Sequence, residues 1–138
     1  MILHAALNGA RHRADHAPLP VTPTELAAAA AERLVDSGLG AQCLRVLLEP
    51  SEPDAAAALE TVVQLEAVLD RAGVRSPRLL HGTDETTWRL IAEAATRGYD
   101  TRVGLEDTLT LPDGRPTPGN AALVAEARRC VSEAAGRR

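Results

Sequence analysis

The sequence predicts an α/β fold in which four parallel strands alternate with helices. Four short apolar runs, at residues 2–7, 44–48, 78–80 and 101–105, are each closed by a polar or turn residue. Each is followed by a longer stretch rich in Ala and Leu, and most of these carry a capping residue in front and glycine behind. These crossovers are long enough to bring the chain back to start another strand in the same direction, which a tight hairpin cannot do.

The elements are justified in order. Residues 2–7 meet Asn8-Gly9 and suit a buried strand. A polar loop over 10–22 carries His12, His16, Pro18 and Pro20. Thr22 is then a natural N-cap, with Pro23 in the first helical position and Glu25 placed to close a capping box. That helix continues through the alanine tract to about Ser37, and Gly38 and Gly40 stop it. Residues 44–48 form the second strand, ending at Glu49-Pro50. Asp54 caps a second helix that lasts to Arg71 and stops at Gly73. The third strand ends at His81-Gly82, and Asp84 caps a helix containing Trp88 and Ile91 that stops at Gly98. The fourth strand runs into Glu106-Asp107, and a last helix spans about 120–134.

Composition narrows the function. The chain has 138 residues, enough for a single domain over 1–138 that buries roughly two thirds of its unfolded surface. Its hydrophobic share of 45% comes from Ala, Leu and Val, with no Phe and with Trp88 and Tyr99 alone among aromatics. All 15 basic residues are arginine. Without lysine, Schiff-base chemistry and a Walker-type phosphate loop are both excluded. A net charge of −4 and no clustered basic patch argue against nucleic acid. Cys43 and Cys130 have no metal-ligand spacing and read as thiols in a reducing compartment. No run suits a signal peptide or a membrane span, so the expected location is the cytoplasm.

Each expected strand ends in a polar side chain: Asn8, Glu49, His81 and Glu106. Parallel strands bring these ends together, at the edge where α/β folds build sites. Glu106 and Asp107 stand side by side there, and Arg102 lies four residues before the first of them. A solvated strand end is the plain reading of such a pair. An imidazole and three carboxylates at one edge point instead to a site. Taken singly, His81 and Glu49 read as a hydrogen-bonding group and a charge that close their strands.

The segments "ALNGAR" (6–11), "LPVTPTELA" (19–27), "LRVLLEP" (44–50), "RLLHGTDETTW" (78–88) and "RVGLEDTLTLPDGRPTPGNAALV" (102–124) resemble the β-keto acid cleavage enzymes. The 3-keto-5-aminohexanoate cleavage enzyme is the best-known member. The resemblance implies a TIM barrel, a divalent metal (usually zinc), and acyl exchange between a β-keto acid and acetyl-CoA that gives acetoacetate and a new acyl-CoA. It makes Glu106 the metal-binding glutamate, Asp107 the neighbouring base and Arg102 the clamp for the substrate carboxylate. These residue types suit the chemistry. A metal stabilises an enolate, a carboxylate takes the proton, and a guanidinium fork holds the acid.

One family feature has no counterpart. The H-x-H metal pair expected after the first helix would fall, without gaps, on Arg45 and Leu47. The sequence reads as a jump: to about Ala30 it resembles the start of the barrel, and from Glu32 its end. The expected fold is therefore a partial TIM barrel with strand order second-third-fourth-first. Its open edges favour a homo-oligomer. Three functions follow. The first is a compact enzyme whose metal site is rebuilt from Glu106, His81 and Glu49 or by a second subunit. The second is an inactive half-barrel. The third is a small-acid-binding domain using Arg102 and Asn8.

Overall fold

A computed structural model of the protein describes residues 14, 17–36, 38 and 42–136. The expected first strand, its terminal Asn8 and the histidines at 4, 12 and 16 lie outside these residues. The order of elements is helix α1 (Pro23–Asp36), strand β1 (Val46–Leu48), helix α2 (Ala55–Arg71), strand β2 (Arg78–Leu80), a 3-10 turn (Asp84–Thr86), helix α3 (Thr87–Arg97) and helix α4 (Asn120–Ala135). The chain divides into two compact units. One is Met1–Cys43 with Val63–Ser76, and the other is Leu44–Val62 with Pro77–Arg138.

In the first unit the capping box forms as expected. Thr22 Oγ1 accepts from the Glu25 amide at 3.2 Å, and Glu25 Oε2 accepts from the Thr22 amide at 3.0 Å. Among the described residues of this unit, Ala31, Leu65, Leu69 and Val74 are buried and apolar. Gly73, at φ 73°, lets the chain leave α2 in the left-handed region that ends many helices.

The second unit is built on a parallel pair. β1 and β2 run in the same direction with Val46 opposite Arg78, Leu47 opposite Leu79 and Leu48 opposite Leu80. β1 is shorter than the expected 44–48. Its ladder starts where the Val46 amide donates to the Pro77 carbonyl, 2.8 Å away. α2 starts after Asp54, whose Oδ1 accepts from the amides of Ala56 and Ala57 at 3.0 and 2.9 Å. α3 packs on α4 and on β2. Leu90, Ile91, Ala94 and Ala95 form its buried stripe, and Leu123 and Ala127 answer from α4. Leu48, Leu80, Leu90, Ile91 and Leu123 are fully buried, worth about 1.5–3 kcal/mol each against exposure.

Two expectations are corrected here. Residues 101–105 form no strand. Asp100 alone bridges Leu79 in parallel: its amide donates to the Arg78 carbonyl and its carbonyl accepts from the Leu80 amide. β2 bonds β1 through Pro77 and His81, so Asp100 lies on its opposite side, in the expected order. Beyond it the ladder stops because the Gly104 carbonyl is captured by the amides of Asp107 and Thr108, and the Leu105 amide donates to Asn120 Oδ1. A turn replaces the strand. Among the described residues, the sheet is thus two parallel strands with one isolated bridge beside them, short of the four strands expected.

The second correction concerns Asp84, which does not cap α3. It sits within the 3-10 turn at φ 45°, a region that Asp tolerates better than most residues. Its amide donates to the Asp107 carbonyl at 2.6 Å. Gly98, at φ 73°, ends α3 as expected. Cys43 and Cys130 are half-buried and form no disulfide, and burial pushes the Cys130 thiol up. No helix of the described residues is long and apolar enough to cross a membrane.

Candidate active site

The side chains that follow β1 and β2 meet, since Leu48 and Leu80 are paired and the next residues are Glu49 and His81. His81 is fully buried, with Nε2 3.5 Å from Glu49 Oε2 and Nδ1 3.3 Å from Asp107 Oδ1. Asp107 Oδ1 also takes Arg102 Nη2 at 3.1 Å, and Arg102 Nη1 reaches Glu106 Oε1 at 3.1 Å. The result is a chain of contacts, Glu49–His81–Asp107–Arg102–Glu106, at the carboxyl end of the parallel pair.

The two neighbouring acids live in opposite environments. The Asp107 side chain is 2% exposed, that of Glu106 71%. Backbone bonds explain the difference. The Asp107 amide donates to the Gly104 carbonyl, and its own carbonyl accepts from the Asp84 amide. Thr87 Oγ1 lies 3.2 Å from both the Asp107 and Gly82 carbonyls, sharing its hydrogen between them. The peptide of Asp107 is therefore pinned to the start of α3, which turns its side chain inward toward His81. Glu106, one residue earlier, is left outside.

Sequence reasoning missed these anchoring residues. Asp84, Thr87, Gly82 and Asn120 place the acids without belonging to the contact chain. A Cβ on Gly82 would stand 2.5 Å from Thr86 Oγ1 and 2.7 Å from Leu90 Cδ1, so no side chain fits there. The "HGTDETTW" stretch is dense in polar residues after a strand, which is the only signal that could have marked them.

The electrostatics are unbalanced. Two carboxylates, Asp107 and Glu106, share the Arg102 guanidinium, and a third, Glu49, faces His81. The buried member, Asp107, has the arginine at its side, as a buried charge requires. Both His81 nitrogens and Asp107 Oδ2 are buried without a hydrogen bond among the described residues. Asp107 Oδ2 lies close to Gly104, where a Cβ would approach it to 3.8 Å.

The family model for β-keto acid cleavage enzymes matches residues 31–138, more than three quarters of the chain. The chain belongs to that family. The match opens at residue 31. Family members are TIM-barrel-like and act on β-keto acids. Among proteins of curated function, none matches the chain.

Membership implies a divalent metal, and the residues can be tested for it. A catalytic zinc keeps three protein ligands. Among the described residues no three His, Cys, Asp or Glu side chains converge to hold one. Glu106 instead puts its carboxylate on Arg102. The described donors do not fit the metal.

Proposed function

We propose that the chain acts on β-keto acids at the Glu49–His81–Asp107–Arg102 cluster, in the acyl exchange with acetyl-CoA that yields acetoacetate and a new acyl-CoA. The observation that carries this reading is the buried contact of Asp107 with both His81 and Arg102. Arg102 is the one guanidinium of the cluster among the described residues and is 43% exposed, so a ligand carboxylate can reach it. Asp107 then takes the proton from the substrate, oriented by Arg102 Nη2 on one side and His81 Nδ1 on the other. His81 Nε2 faces Glu49, which is half-exposed and gives the proton a route to water. A metal would add Lewis-acid stabilisation of the enolate, but no step is assigned to it with the donors described. Exposed Leu44 and Leu47, beside and on β1, support self-association.

A second reading, a β-keto acid-binding domain without turnover, is favoured by the same missing ligand set. One experiment separates the two. Purified chain is assayed for bound zinc and for acetoacetate formed from a β-keto acid and acetyl-CoA. The expected result is substrate binding with less than stoichiometric zinc and slow turnover. Tight stoichiometric zinc with rapid acetoacetate formation would mean that ligands outside the described residues, or from a second subunit, complete a metal centre. Failure to bind any β-keto acid would overturn both readings.

A further inference from the structure

We propose that Glu106 is an internal stand-in for the substrate's carboxylate: it occupies Arg102 Nη1 until a ligand displaces it. The inference rests on the reading of Arg102 as the carboxylate clamp. The guanidinium presents two arms, and both carry a carboxylate at 3.1 Å. The Asp107 arm is permanent, because that side chain is buried and its peptide is tied to Gly104, Asp84 and Thr87. The Glu106 arm is exchangeable, because its side chain is 71% exposed and, among the described residues, its ion pair with the cluster is the one to Arg102.

Charge arithmetic points the same way. Adding a third carboxylate to the two that already share the Arg102 guanidinium would be repulsive. Swapping one for another on the same nitrogen leaves the guanidinium's bonds and the local charge unchanged, since the released Glu106 is free to move into water. Exposed ion pairs are weak, which makes the exchange cheap: such a pair shifts an equilibrium by roughly 1.4- to 5-fold. Glu106 thus sets how tightly, and at what salt, an acid is captured.

The test is calorimetric titration of acetoacetate into wild type, Glu106→Gln and Arg102→Met, with circular dichroism to check folding. Gln keeps the size of Glu106 and removes its charge. Glu106→Gln is expected to bind acetoacetate roughly 1.4- to 5-fold more tightly, an advantage that shrinks toward none in high salt. Arg102→Met is expected to lose binding. If Arg102→Met loses binding but Glu106→Gln binds no tighter than wild type, the stand-in role is overturned while the clamp survives. If Arg102→Met binds as wild type does, the clamp falls and this inference falls with it. Titration of zinc alone completes the design. Equal zinc affinity in wild type and Glu106→Gln is expected, and a loss on substitution would overturn the stand-in in favour of a metal ligand.

Discussion

At the scale of single residues, the two acids at 106 and 107 differ by environment, not by chemistry. The backbone turn at Gly104 sends one inward and one outward. Asp107 is held between an imidazole and a guanidinium, and it is the residue proposed as the base. Asp107→Asn keeps the shape and removes the basic oxygen. In the acetoacetate assay it is expected to lower the rate by ~10²–10⁴-fold with the fold intact. A rate equal to wild type would take Asp107 out of the reaction. The sequence marked both acids, the arginine and His81 as candidates. It could not rank the acids, because burial depends on Asp84 and Thr87, which lie about 20 residues away in the chain and show no pattern that links them to 107.

At the scale of elements, local signals decided the helices and failed at the fourth strand. Caps and glycines lie within a turn of the backbone groups they serve, so Thr22, Asp54 and Gly98 were readable. Asp54→Ala removes the acceptor for two amides and is expected to cost about 0.5–2 kcal/mol, read from the shift in a urea denaturation midpoint. An unchanged midpoint would show that water satisfies those amides equally well. Gly82→Ala tests tight packing at the start of α3. Thr86 Oγ1, which the new methyl would strike, is itself bonded to the Thr83 amide and carbonyl and cannot step aside freely. A loss of about 1–3 kcal/mol is expected in the same measurement. Residues 101–105 looked like a strand by apolarity. The bond from Asn120 to the Leu105 amide, across 15 residues, claimed a backbone group that a ladder would have used.

At the scale of the molecule, a short parallel pair with exposed Leu44 and Leu47 predicts self-association. Sedimentation velocity at micromolar concentration is expected to show a dimer or larger species, and Leu47→Glu to shift it toward monomer. A wild-type monomer over the whole concentration range would remove the shared-site version of the enzyme. Family membership was legible from long motifs, above all at 102–124, because a motif needs no knowledge of contacts.

What the sequence determined by itself was therefore whatever depends on neighbours in the chain: the helices, the caps at Thr22 and Asp54 and the stop at Gly98, the direction of β1 and β2, and the family. Only the tertiary structure decided which acid is buried, that Glu106 rests on Arg102, and that the run after Asp100 turns away from the sheet. The physical reason is common to all three. Each depends on which distant partner claims a backbone amide or a charged group. Such partners are chosen by packing and not by spacing along the chain.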